Sequence, residues 1–157
     1  MQPTEELRYL LLAVQREGNR MLAEALRPLD LTPSQAEVLR VLQEHQPLSL
    51  IALGDLLICE YGSPSRLVNG LVEAGLVERA PSASSGRMVT LALTTEGEQR
   101  AEQVKDVEEM MYQLIDKTLL DISIPDLNAV LWRFVEGRTA GNALARRMLP
   151  PFFVGEG

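Results

Sequence analysis

The chain of 157 residues has a single cysteine, Cys59, and a single histidine, His45. One cysteine excludes an internal disulfide, and with only one histidine beside it no all-protein zinc site can be assembled. With one of each and no nucleophile motif around either, no catalytic triad can be assembled, and no glycine-rich phosphate loop is present. An enzyme is therefore the least supported class, and neither a metal nor a cofactor is expected. Aromatic residues make up only 4% of the chain, so a core must come from aliphatic side chains, which a hydrophobic content of 46% supplies. Long apolar runs are missing too. The stretch from Tyr9 to Val14 is too short for a signal core or a membrane span, and no basic segment precedes it. A cytoplasmic protein with no membrane partner is the expectation. Positive charge is the last shortage: 15 Lys and Arg against 22 Asp and Glu leave a net charge of −7, which opposes nucleic-acid binding as a property of the whole chain. Residues 31–95 alone carry four arginines against six acids. Three of the four, Arg66, Arg79 and Arg87, come late in that stretch, where they can gather on one face.

What is present is organised around residues 62–75. Gly62 or Ser63 can cap a helix, Pro64 fits its first turn, and Gly75 suits the left-handed position after its last. Leu67, Val68, Leu71 and Val72 form an apolar stripe at helical spacing. The other face carries Ser63, Ser65, Arg66, Asn69 and Gly70, short or hydrogen-bonding residues with no acid before Glu73. Such a face can enter a DNA major groove, although the same pattern also suits an amphipathic helix with a solvated side.

The flanking segments give this helix a setting. Thr4 can cap a first helix that runs to about Arg27 and stops at Pro28; Leu7, Leu11, Val14, Met21 and Ala25 follow near-heptad spacing on it. Leu10, Leu12, Leu22 and Leu26 widen that stripe, so the helix needs more than one neighbour. Thr32-Pro33-Ser34-Gln35 is a capping box with proline in the first turn, and Ala36, Val38, Leu39, Val41 and Leu42 then face inward as far as His45, a C-terminal helix residue rather than a ligand. After the break at Gln46-Pro47, Ser49 caps a short helix with Leu53, Leu56 and Leu57 as its core face. Two short helices in succession, the second polar outside, make a helix-turn-helix. Beyond Gly75 the period becomes two. Leu76 to Ala80 and Met88 to Thr94 read as paired strands, with Val89, Leu91 and Leu93 buried, around the small loop of residues 81–87. A helix-turn-helix followed by a hairpin is a winged helix.

Thr95 and Glu98 match a capping box for a long helix to about Leu119, with Val104, Val107, Met111 and Leu114 as either a brief coiled-coil seam or an ordinary core-facing stripe. Ser123 caps a further helix with a stripe of Leu127, Val130, Leu131, Phe134 and Val135. The apolar residues at 149–154 need cover, from the partner subunit or from the first helix. The fold class expected is mainly α with a small β-hairpin wing. Residues 1–30 form an N-terminal dimerisation helix, residues 31–95 the winged helix-turn-helix, and residues 96–157 the C-terminal dimerisation helices.

From Leu31 to about Gly97 the chain resembles the MarR-type winged-helix transcription regulators. The matching pieces, in order, are Leu31-Thr32-Pro33-Ser34-Gln35, Leu53-Gly54-Asp55-Leu56-Leu57, Ser65-Arg66-Leu67-Val68-Asn69, Gly75-Leu76-Val77-Glu78-Arg79 and Leu93-Thr94-Thr95-Glu96-Gly97. The resemblance implies a homodimeric DNA-binding regulator, a repressor, bound to a pseudo-palindromic operator on double-stranded DNA. It places Tyr61, Ser63, Ser65, Arg66 and Asn69 at the recognition positions and Arg87 in the wing. It also implies a small aromatic or amphipathic effector, whose binding residues the sequence does not name. The wing departs from type: where the family commonly has an acid followed by two arginines, this chain reads Ser85, Gly86 and Arg87, and Ala80 stands where a second basic residue often follows Arg79. That departure implies a less ordered wing and weaker phosphate binding. Cys59, next to Glu60, lacks the positive surroundings of a reactive thiol and is expected to be structural. The acidic balance and the stripped wing leave a second reading open, a winged-helix protein-interaction module that has lost most of its DNA binding.

Overall fold

Proline stands in the first turn of α1 (Pro3–Leu26), α2 (Pro33–His45), α4 (Pro64–Glu73) and α6 (Ile124–Val135), where its missing N–H forfeits no helical bond. The other helices are α3 (Leu50–Gly54), α5 (Thr95–Thr118) and α7 (Thr139–Arg147), and one antiparallel hairpin pairs β1 (Val77–Pro81) with β2 (Val89–Leu93). The structure, a computed structural model, describes residues 1–59 and 63–150. The apolar segment expected at 149–154 lies mostly outside the described residues.

Capping chemistry sets most of the boundaries. Thr32 and Gln35 close the expected capping box on α2, Oγ1 accepting from the Gln35 N–H at 3.2 Å and Oε1 from the Thr32 N–H at 3.0 Å. Ser49 and Ser123 cap α3 and α6 as expected. Two caps fall elsewhere. Thr4 lies inside α1, because Pro3 occupies the first helical turn and Gln2 becomes the cap without a side-chain bond. Helix α5 starts on Thr94 rather than on Thr95 with Glu98, since the Thr94 hydroxyl accepts from the Gly97 N–H at 3.0 Å while donating to the Gly75 carbonyl at 2.6 Å. One residue thus starts α5 and ties it to the turn that ends α4. Pro28 is absorbed in a short 3-10 turn, Arg27–Leu29, after α1.

A single aliphatic cluster holds α2, α3, α4, the hairpin and the first half of α5, built on fully buried Leu39, Leu42, Leu53, Leu56, Leu71 and Val104. Polar pairs lace α2 to α5 along one edge. Gln46 donates to Glu98 at 2.6 Å, Gln43 to Glu102 at 2.6 Å, and Arg40 Nε to Glu108 at 2.9 Å. Leu48, after the cis Gln46-Pro47 peptide, adds a short third rung to the hairpin: its N–H and carbonyl exchange bonds with Leu91 at 3.1 and 2.7 Å. The hairpin runs off the core beyond Leu91. Val89, opposite Pro81, is therefore 53% exposed instead of buried.

The helical arms are different. Leu7, Leu10, Leu11, Leu12 and Val14 of α1 are exposed, as are Leu114 of α5 and Val130, Leu131 and Phe134 of α6. The expected seam on α5 splits: Val104 and Val107 are buried within the chain, Met111 is half-buried and Leu114 is open. His45 is buried at the end of α2, and neither ring nitrogen has a hydrogen-bond partner among the described residues.

Candidate nucleic-acid interface

Helix α4 is held on its apolar side and at its C-terminal end. Val68 and Leu71 sit in the core, with Leu67 and Val72 packed at its margin. Gly75 adopts φ +74°, the left-handed conformation that favours glycine, and the chain reverses so that the Leu76 N–H reaches the Leu71 carbonyl at 2.9 Å. The Leu76 carbonyl accepts from the Thr94 N–H at 3.1 Å, and a Cβ at Gly97 would lie 1.9 Å from that oxygen. Only a glycine lets the start of α5 approach so closely, which fixes where α4 ends.

The outward side of α4 carries Ser63, Ser65, Arg66 and Asn69, all exposed. Ser63 occupies the N-cap position but makes no capping bond; its hydroxyl instead pairs with that of Ser65 at 2.6 Å. The first N–H groups of α4 thus have no side-chain acceptor among the described residues, which leaves them for an anionic partner. Tyr61 lies outside the described residues. Gly70 does not belong to the outward face: a Cβ there would point at the Gln35 side chain, 3.7 Å away at the start of α2.

Arg79, which the sequence marks only as one of three arginines able to gather on a face, gains a defined partner in the fold. From β1 its guanidinium donates to Oδ1 of Asn69, joining the foot of the wing to the recognition face. The bond orients the Asn69 amide, committing one acceptor lone pair and leaving the two amide donors outward. Arg87 is exposed in the wing loop. That loop is organised by its own polar groups: the Ser82 N–H donates to the Met88 carbonyl at 2.7 Å, the Met88 N–H to the Ser85 carbonyl at 3.1 Å, and the Ser82 and Ser84 hydroxyls pair at 3.0 Å. Arg40 is withdrawn from this face, since it is bound to Glu108 and, at 3.0 Å, to Glu44. The arginines left to meet phosphates from residues 31–95 are Arg66, Arg79 and Arg87.

The approach to α4 is held by an acid. Glu37, on α2, accepts the Ile58 N–H at 2.8 Å and the Cys59 N–H at 2.9 Å, one on each carboxylate oxygen, and its Oε1 also pairs with Arg147 from the last turn of α7. Burial, reinforced by the Glu37 charge, pushes the Cys59 thiol up to about 11, so at neutral pH it stays protonated and weakly reactive. Nothing in the sequence marked Glu37, because its partners lie 21, 22 and 110 residues away. Among the described residues no cluster of His, Cys, Asp and Glu is arranged to hold a metal ion, and no helix is long and apolar enough to cross a membrane.

Residues 31–97 match the family model of a winged helix DNA-binding domain. The chain is 31% identical to the multiple antibiotic resistance protein MarR of Escherichia coli over 119 residues, covering 75% of this chain and 83% of that protein. It is 27% identical to the HTH-type transcriptional repressor IacR of Pseudomonas putida, over 78% of this chain and 74% of that one. A solved structure of a mutant MarR from E. coli complexed with operator DNA superposes with a TM-score of 0.66 at 26% identity, covering 92% of this chain and 94% of the other.

Proposed function

This chain belongs to the MarR family of winged-helix transcription regulators, and on that premise we propose that it is a homodimeric repressor of a pseudo-palindromic operator, relieved by a small aromatic or amphipathic ligand. Its place of action is the cytoplasm. The observation that carries the DNA-binding part is the outward face of α4, where Ser63, Ser65, Arg66 and Asn69 stand free of the core while Val68 and Leu71 anchor the helix from behind. Asn69 and Arg66, three residues apart on one helical face, supply donors suited to base edges, and Arg79 and Arg87 supply charge for phosphates and the minor groove. The relatives that are named as a repressor or solved with operator DNA support the same assignment.

Surface area supports the dimer. The chain exposes 11066 Å², whereas a folded monomer of its 17.4 kDa exposes about 7,900 Å². The excess of roughly 3,000 Å² on one chain is more than the share of about 1,000–2,500 Å² that each partner brings to an obligate interface, so a partner has to cover only part of it. Much of it is aliphatic surface on α1 and α6, and an apolar groove of about 560 Å³ runs between Leu11, Leu131, Trp132, Phe134, Leu144 and Met148. Residues 1–30 and 96–157 are accordingly the dimerisation segments. A second crevice, of about 360 Å³, opens between α4 and the start of α7 beside Leu57, Ile58, Pro64, Leu67 and Thr139, and offers an amphipathic ligand a seat next to the DNA-reading helix.

A gel-shift at two salt concentrations, with the DNA flanking the protein's own gene, tests the regulator. Sequence-selective retention that weakens with salt is expected. Only three arginines of the winged unit remain free to face phosphates, which favours one rival, a winged helix that docks on protein instead. Absence of retention at low salt would select that rival.

A further inference from the structure

The N-terminal approach to α4 hangs on one carboxylate. Glu37 takes two successive backbone N–H groups, those of Ile58 and Cys59, and in return is held by the Arg147 guanidinium; the Glu37 side chain is 11% exposed and that of Arg147 23%. A carboxylate on two N–H donors and a guanidinium is a charge-assisted arrangement in which every partner restricts the others. A second arginine of the same turn, Arg146, reaches Asp55 at the end of α3, with Nη1 3.8 Å from the carboxylate and 3.4 Å from the backbone carbonyl. The last turn of α7 therefore reaches the described stretch after α3 at both ends, at Asp55 directly and at Ile58 and Cys59 through Glu37.

The rest of α7 faces elsewhere. Its apolar residues Leu144 and Met148 line the groove shared with α1 and α6, and Gly141 lets it press against the end of α6, where a Cβ would lie 2.0 Å from the Val135 carbonyl. Toward α4 the start of α7 leaves the 360 Å³ crevice instead of a packed contact. One donor of the grip is also unsatisfied: Arg147 Nε is buried with no partner among the described residues. A buried unpaired donor adds a cost to holding Arg147 in this seat.

We propose that Glu37 and Arg147 are positioning residues for the recognition helix: the carboxylate fixes the backbone that leads into α4, the guanidinium fixes the carboxylate, and the packing of α7 in the helical arms thereby sets how α4 meets DNA. This rests on the DNA-binding reading above and adds the residues that hold the recognition helix in place. Loss of the Arg147 contact would loosen the lead into α4 without touching a residue on the DNA-reading face. The chemistry separates the two partners. Glutamine at position 37 keeps one acceptor but sets an amide N–H₂ against a backbone N–H, so it breaks the clamp itself. Lysine at 147 keeps a charge but loses the planar fork, so it weakens only the grip on the clamp.

The test uses the full chain, a duplex selected by the wild-type protein from a randomised library, and a random duplex of equal length. Arg147→Ala should lower affinity for the selected duplex about tenfold while leaving the logarithmic salt slope unchanged, because no phosphate contact is lost. Arg147→Lys should recover part of that loss. Glu37→Gln should weaken binding further, and adding Arg147→Ala to it should cost almost nothing more. A readout without DNA accompanies these: amide exchange at Ile58 and Cys59 should quicken at least tenfold in Arg147→Ala and in Glu37→Gln, with exchange in the α2 core unaltered. Should Arg147→Ala unfold the chain, Arg147→Lys and Glu37→Gln carry the comparison. A salt slope that falls with Arg147→Ala would make Arg147 a phosphate contact and overturn the proposal. Unchanged exchange at Ile58 and Cys59 would overturn the clamp, and faster exchange with unaltered affinity would overturn the positioning role. Failure of the wild type to select any duplex would overturn the DNA reading itself, an outcome visible before any variant is made.

Discussion

In the winged unit Leu39, Leu42, Leu53 and Leu56 are fully buried, whereas on the arms Leu10, Leu12, Leu131 and Phe134 remain between 38% and 53% exposed. The two regions use the same kinds of residue, at the same helical spacings, to opposite ends. The winged unit closes a core within one chain, because three helices, a hairpin and half of α5 surround one cluster. The arms are helices with apolar stripes and too few neighbours among the described residues, and in the proposed dimer their burial comes from a second chain. The contrast teaches that helical periodicity marks a face as apolar without saying whether its cover is supplied in cis or in trans.

The sharpest way to break the contrast is to damage each region by the same chemistry. Leu39→Ala should cost about 2–5 kcal/mol, as for other buried leucines, and should lower the denaturation midpoint at every protein concentration. Leu131→Glu with Phe134→Glu should leave the winged unit folded but weaken self-association roughly a hundredfold, about 3 kcal/mol, with monomers seen by analytical ultracentrifugation at micromolar concentration. A wild-type chain that sediments as a folded monomer would instead show that the arms find cover in cis.

Legibility divides along the same line. The start of α2 was readable because Thr32, Pro33 and Gln35 act within three residues of one another, and so was the glycine at 75, which a left-handed turn requires. The cap of α5 moved one residue, to Thr94, because the hydroxyl there also reaches Gly75, 19 residues back, and a local motif carries no trace of that second bond. Val89 was placed inside by its alternation, but alternation does not tell where a hairpin leaves the core. The outward polar side of α4 was legible as a pattern. Its supports were not: the bonds of Arg79 to Asn69 and of Ile58 to Glu37 are made by the fold, and the sequence does not say that these residues meet.

Smaller effects sharpen the contrast at the DNA-facing surface. In the wing, Ser85→Asp with Gly86→Arg restores the acid and arginine that the family commonly carries. It should steepen the logarithmic salt dependence by about 0.9 per new phosphate contact, roughly 1.8 for a dimer, with little change in sequence preference. An unchanged slope across a salt series would mean that the wing does not reach DNA. Arg87→Ala should weaken binding to all duplexes alike. Asn69→Ala should change which base is preferred, by about 1–3 kcal/mol of discrimination, and Arg79→Ala should do some of both, since it removes a charge and releases the Asn69 amide. Equal losses on selected and random duplexes for Asn69→Ala would rule out that face as the reader of sequence.

The least effect at neutral pH belongs to Cys59. With its pKa raised from 9.0 to about 11, the thiol should alkylate roughly a hundredfold more slowly at pH 8 than an unhindered cysteine of ordinary pKa. Because folding favours the protonated form, the accompanying stability is fully present below pH 9 and is lost as pH rises through 11. A rate at pH 8 equal to that of the denatured chain would contradict the burial.

The bond between Arg79 and Asn69 also bears on how such a protein changes over time. Ser63, Ser65 and Arg66 stand outside the core, so lineages can exchange them and drift toward new operators at no cost to the fold. Position 69 is less free, because any replacement strands the guanidinium of Arg79 or must find it another acceptor. Across descendants of this chain, 69 and 79 should therefore vary as a pair. A designer who grafts a new reading face onto α4 would have to recode the first strand of the wing along with it.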